Sequence, residues 1–171
     1  TIQLSAEDID GDILLFTAES SSPEDISVSV IGEELTLTPA LNFNGTVNID
    51  VTVSDGFLTD SGTFTLTVTP VNDAPTIDLP ESMTFSEDDS LTEDFSIYID
   101  DIDADDLTLT VSGNINVTVD ISGFNVTFGS LLDWNGTETL TFAVDDSHGR
   151  SIATDDVGVV VTPVNDAPVL S

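Results

Sequence analysis

The residues able to do chemistry in this chain are short acidic strings. Asp8-Ile9-Asp10 and Asp101-Ile102-Asp103 each carry carboxylates at i and i+2, a spacing that puts both side chains on one side of an extended segment. Asn72-Asp73 and Asn165-Asp166 sit inside two copies of the string Thr-Pro-Val-Asn-Asp-Ala-Pro, at 69–75 and 162–168. Asp and Asn offer short, stiff oxygen-bearing arms, and calcium takes 6–8 such oxygens from carboxylates, amide carbonyls and backbone carbonyls. Carboxylates held about 4 Å apart repel by roughly 1–4 kcal/mol per pair, depending on the effective dielectric. One basic residue, Arg150, stands against thirty-three acids, so ion pairing within the chain cannot relieve that repulsion. The acids either stay apart or gather around a recruited cation.

The same charge narrows the choice of partners. A formal net charge of −32 repels a phosphate backbone, which sets nucleic acid aside, and it disfavours anionic membrane surfaces. No run approaches the roughly 20 apolar residues of a membrane-spanning helix, so membrane insertion is not expected. No cysteine is present, which removes disulfides and thiolate metal sites. A hydrophobic share of 39% is enough to build a core and argues against disorder. The plain reading of the charge is a solvated acidic surface that keeps an exported protein soluble; the sharper one is that many carboxylates are ligands. No signal segment is visible, but the chain opens inside a strand-like run, as a piece of a longer protein would.

The elements that must position these residues repeat. The string DIDGD at 8–12 matches DIDAD at 101–105; LNFNGT at 41–46 matches LDWNGT at 132–137; VSDG at 53–56 matches VDDSHG at 144–149. Together with the PVNDAP strings, these four landmarks recur in one order at a period of about ninety residues, which means two copies of one domain. Between them, apolar and polar residues alternate with period two. Strands are expected at 47–55 and 63–70 in the first copy. In the second they are expected at 83–86, 95–100, 107–112, 116–121, 124–128, 138–145 and 157–163, separated by Gly, Asn, Asp and Ser turns. Seven short strands in about ninety residues is the count of a β-sandwich, so the chain is all-β, with domains at 1–73 and 74–166 and residues 167–171 starting a following repeat or tail. The first copy has no counterpart of 78–92 and lacks its N-terminal strand. That strand belongs either to an adjoining part of a longer protein or to a neighbouring chain.

The order of D-x-D, an acidic or amide turn, an A-x-D-like string and N-D-x-P resembles cadherins, and most closely the cadherin-like tandem repeats of large bacterial surface and secreted proteins of the adhesin type. Asp101-Ile102-Asp103, Leu132-Asp133-Trp134-Asn135, Ala143-Val144-Asp145-Asp146 and Asn165-Asp166-Ala167-Pro168 carry the resemblance. It implies two tandem Greek-key, cadherin/Ig-like sandwiches with calcium where repeats meet. Carried over by residue, Asn42, Asn44, Asn72, Asp73, Asp101, Asp103 and Asp146 would serve the internal junction. Asp8, Asp10 and Asp55 would serve an upstream one, and Glu87, Asp133, Asn165 and Asp166 a downstream one. The linker PVNDAP is shorter than the cadherin linker, and amides replace carboxylates in the turn, which implies one or two ions at the internal junction rather than three. Asp12, Asp105 and Asp106 are taken as exposed turn acids.

The function implied is a calcium-rigidified spacer or adhesion segment of an extracellular protein. Its partners are neighbouring repeats of the same chain, with a cell-surface protein or glycan, or a second copy of itself, as further candidates. The alternative is a carbohydrate-binding module of a secreted polysaccharide-active protein, which would expose Trp134 or Tyr98. No enzyme is expected: the only histidine, His148, lies in a loop, and no serine has the context of a nucleophile elbow.

Overall fold

Most of the stretches in which apolar and polar residues alternate are extended. The structure, a computed structural model, describes residues 1–148 and 152–168. Gly149, Arg150 and residues 169–171, which the sequence places in a landmark loop, as the sole cation and in the tail, lie outside the described residues. Two compact units divide the chain, Thr1–Val71 and Asn72 onward.

The first unit contains β1 (Ile2–Gln3), β2 (Leu15–Ser20), β3 (Ile26–Ile31), β4 (Glu34–Pro39), β5 (Gly45–Ser54) and β6 (Thr59–Val68). They form two sheets, ordered β1-β4-β3 and β2-β5-β6, with every pairing antiparallel. The sheets close over Ile26, Leu35, Val47 and Ile49. The second unit contains β7 (Thr76–Ile77), β8 (Ser82–Ser86), β9 (Leu91–Asp94), β10 (Ile99–Asp100), β11 (Thr108–Ser112), β12 (Val117–Ser122), β13 (Asn125–Ser130), β14 (Gly136–Asp145) and β15 (Ile152–Thr162). Its main sheets run β11-β14-β15-β8 and β12-β13-β9, and a small ladder joins β10 to β7. Both units are Ig/cadherin-like β-sandwiches. The burial alternation is plain in β14, where Leu140, Phe142 and Val144 face inward and are fully buried between less buried neighbours.

Two features set the units apart. In the second unit β8 lies parallel to β15, with Ser82 opposite Gly158 and Ser86 opposite Thr162. Among the described residues the first unit has no such strand, and β6 ends its sheet. The cores differ in size as well: the buried core cluster holds fourteen residues in the second unit and four in the first. Phe95, Phe128 and Phe142 dominate the larger core, with ring centroids 4.8 Å apart for Phe95–Phe142 and 6.1 Å for Phe95–Phe128.

One expected strand is corrected. Residues 95–100 do not continue extended: Phe95–Tyr98 form a single 3-10 turn before β10. Asp94 caps it by accepting the Ser96 N–H at 3.0 Å. The turn drives Phe95 into the core and brings Tyr98 edge-on to it at 6.0 Å, so aromatic packing overrides the alternation that pointed to a strand. The strand of this region is β9, just upstream, on the edge of β13.

Tight turns carry the other landmarks. Gly32 and Gly123, both at φ 63, occupy the first central position of the two-residue connections β3–β4 and β12–β13, where a left-handed residue is required. After the Trp134 turn, Gly136 lies so close to the indole that an added Cβ would sit 3.1 Å from it. The Asn-Gly pair is therefore fixed by an aromatic ring folded over the glycine.

Candidate metal centre

One group of the second unit's acids converges at one end of its sandwich. β10 ends at Asp100 and the chain loops through Asp101–Leu107 before β11. Asp101 sits at the root of the loop and its Oδ1 accepts the N–H groups of Asp103 (3.0 Å) and Asp105 (3.2 Å). Ala104 turns the loop with a left-handed backbone, φ 58. The result is that one carboxylate oxygen from each of Asp101, Asp103 and Asp105 lies within 4.8 Å of the other two. Two oxygens each 2.3–2.6 Å from one calcium ion are at most about 5 Å apart, so the spacing fits that ion. The second oxygen of Asp101 is buried and has no hydrogen-bond partner among the described residues. A buried, unpaired carboxylate oxygen is costly, and a cation beside it removes the cost.

The linker and the end of β14 complete the arrangement. The Asp73 N–H donates to Asp103 Oδ2 at 2.7 Å. Asn72 Nδ2 donates to Asp146 Oδ2 at 2.8 Å and to the Asp73 carbonyl at 3.0 Å. Asp146 is buried, and its Oδ1 accepts the His148 N–H at 2.8 Å. The Asn72 amide first, and then the His148 N–H, hold its carboxyl below the usual range. His148 Nδ1 lies 2.9 Å from the Asp146 carbonyl and 3.3 Å from Asp105 Oδ2. Asn72, Asp73, Asp101, Asp103 and Asp146 are thus brought together, joined by Asp105, for which the sequence suggests only an exposed turn.

The first unit repeats half of this design. Asp8 Oδ1 accepts the N–H groups of Asp10 (2.9 Å) and Asp12 (3.0 Å), the bond pattern of Asp101. Gly11, φ 82, stands where the second copy has Ala104. Asp55 aligns with Asp146; its Oδ1 accepts the Phe57 and Leu58 N–H groups, both at 2.7 Å, and the Leu58 bond foremost keeps its carboxyl low. Asn42 and Asn44 are exposed in the turn before β5. Asn42, at φ 59, matches the backbone of Asp133 at φ 56.

At the opposite end of the second unit lies another acidic group. Glu87 is buried; its Oε1 accepts the Val164 N–H at 2.7 Å and its Oε2 a bond from Asn135 Nδ2 at 3.1 Å. Asn165 Nδ2 donates to the Asp166 carbonyl at 3.1 Å, repeating the Asn72–Asp73 bond. The charge of Asp133 foremost, then burial and the charges of Asp88 and Glu87, pushes the Asp166 carboxyl above its ordinary value. Glu87, Asp133, Asn165 and Asp166 therefore form one group, to which Asp88 is an addition; its signal was the unbroken Glu87-Asp88-Asp89 run.

The aromatic residues are engaged in packing. Trp134 and Tyr98 are half-buried against the core of the second unit. Among the described residues no helix is long and apolar enough to cross a membrane.

Solved structures share the fold. Human protocadherin-24 EC1-2 superposes with a TM-score of 0.60 at 21% identity, over 98% of this chain and 88% of that one. Drosophila N-cadherin EC1-4 gives 0.60 at 20% identity, over 96% of this chain and 44% of that one. An endo-fucoidan hydrolase from glycoside hydrolase family 107 gives 0.42 at 21% identity, and the chain spans 26% of its length. No curated protein matches. A profile of the bacterial Ig domain matches residues 1–67 and again 72–162. With both copies matched almost end to end, the chain belongs to the bacterial Ig domain family.

Proposed function

We propose that the chain is a calcium-binding tandem repeat module serving as a spacer or adhesion segment of an extracellular protein. The observation that carries this reading is the buried, unpartnered oxygen of Asp101 in a loop whose three carboxylates stand at calcium spacing. Asp101, Asp103 and Asp105 would hold the ion, with Asp146 and the linker residues Asn72 and Asp73 around them. Calcium supplies the positive charge that the chain lacks. The residues do the mechanical work: Asp103 and Asp146 already bond Asp73 and Asn72, so neutralising the loop fastens the linker to the second unit. Fastening it restricts the segment through which the first unit is attached. Metal that binds only this ordered arrangement stabilises it by about 2.7 kcal/mol when the free ion is 100 times its dissociation constant. Extracellular calcium reaches the roughly millimolar dissociation constants of weak extracellular sites, which supports that location.

Asp103→Asn tests the reading, because the amide oxygen can still accept the Asp73 N–H while the charge is lost. Calorimetric titration should show calcium affinity falling by about tenfold or more, since site charge tunes affinity, with the second unit still folded. X-ray scattering of the parent chain should change on adding chelator, and that of the variant should respond less. Calcium binding unaltered by the substitution, or scattering indifferent to chelator, sinks the proposal. The sugar-binding alternative is less well supported, because Trp134 and Tyr98 are committed to packing.

A further inference from the structure

In the first unit each sheet ends in a strand with no further neighbour among the described residues, β2 in one and β3 in the other. Between these two edges opens a groove of about 410 Å³, lined by Ala18, Glu19 and Ser20 of β2, Pro23 of the connection, and Ile26 and Val28 of β3. Its floor is the core: Ile26 is fully buried, and Ala18 and Val28 pack half-buried against the cluster. The edge strand β3 reads Ile26-Ser27-Val28-Ser29-Val30-Ile31, without the charge or proline that blunts many edges. A free edge beside an apolar groove takes up an added strand through main-chain hydrogen bonds, and side-chain pockets set the specificity. The second unit treats the same place differently. The larger Val111 stands where the first unit has Ala18, by the matched pairing of β2 with β5 and of β11 with β14. Glu138, at the position of Val47, takes the N–H groups of Ile115, Asn116 and Val117 at the entry to β12.

The rim of the groove is acidic. Glu19 stands directly opposite Asp50 of β5, both are exposed, and like charges so placed destabilise a sheet. Glu24 and Asp25 lead into β3, and Glu33 and Glu34 follow it. One basic residue against thirty-three acids leaves this charge unanswered from within the chain, and a strand from a second copy would bring more of the same sign. We propose that the groove is a docking site for an extended segment of a partner protein in which apolar residues alternate with Lys or Arg. The segment adds to the free edge of β3. Its apolar side chains enter the groove over Ala18, Ile26 and Val28, and its cations reach Glu19, Asp50 and the acids at either end of β3. The site goes beyond the calcium reading and does not rest on it, since none of its residues belongs to the acidic loops.

The test is a titration of the isotopically labelled chain with a short synthetic peptide of alternating Lys and Val, in chelator and at about 0.3 M salt to screen general attraction. The expected result is a set of amide shifts concentrated in residues 18–20 and 26–31. Affinity should fall at least tenfold for a peptide of alternating Lys and Ser, which keeps the charge and lacks the apolar side chains. It should fall at least threefold when the chain carries Glu19→Gln and Asp50→Asn, two exposed substitutions that keep the side-chain size. Equal affinity of the two cationic peptides reveals mere attraction to a polyanion and overturns the proposal. Equal binding of a peptide of alternating Glu and Val overturns the choice of a cationic partner, and shifts that spare β3 overturn the site.

Discussion

A single oxygen, the buried Oδ2 of Asp101, separates this loop from an ordinary acidic turn. Its partner oxygen accepts two N–H groups, which curl the loop around that carboxylate. Ala104 holds a left-handed conformation, which costs a residue with a Cβ about 1–2 kcal/mol. Ala104→Gly should therefore raise the stability of the second unit by about 0.5–1 kcal/mol in chemical denaturation, once glycine's entropy is subtracted. Asp166 gives a prediction with a definite sign. Its folded pKa is raised, so its ionised form is disfavoured in the fold and the penalty is present above that pKa. As pH falls through it, protonation removes the penalty. Without divalent ions, Asp166→Asn should raise the melting temperature at pH 7, with the gain shrinking as the acid range is approached and vanishing in saturating calcium. Melting curves across pH decide this, and a gain that ignores both pH and calcium contradicts it. Asp101 and Asp103 were legible from their spacing alone. Asp105 was not, because strand alternation says nothing of a loop that curls back at a left-handed residue. The glycine at the matching place in the first copy, Gly11, was the available sign.

Among the elements, the strands were legible because one face of each is buried and the other wet. The 3-10 turn at Phe95–Tyr98 was not, since its cause is an aromatic cluster assembled from distant strands. A second feature hidden from the sequence is Glu138 on β14. Its carboxylate accepts the N–H groups of Ile115, Asn116 and Val117 at 2.7–3.2 Å and so ties the β11–β12 connection to β14. Burial raises its pKa, but the Val117, Ile115 and Asn116 bonds outweigh that and leave it lowered. A lowered carboxylate stabilises the fold above its unfolded pKa and loses that contribution as pH falls through the folded value. Glu138→Ala should cost about 2 kcal/mol at neutral pH, within the range for hydrogen bonds to charged groups, and much less in strong acid. Denaturant titrations at the two pH values measure the difference.

For the whole molecule, core size and charge decide behaviour. The first unit has a buried core cluster of four residues and an open groove; the second has a cluster of fourteen that includes the phenylalanine rings. Native-state hydrogen exchange should show β5 and β6 opening at lower free energy than β14 and β15; equal protection contradicts this. The closure of the second unit also has a temporal side. Among the described residues β8 pairs with β15 alone, and the two run parallel, so no hairpin can join them. As the polypeptide leaves a ribosome at about 5–20 residues per second, β8 emerges roughly 4–15 s before the stretch that completes its pairing. For that interval Met83 and Phe85 have no native shelter, and whatever guards the nascent chain must cover them until Thr162 has been made.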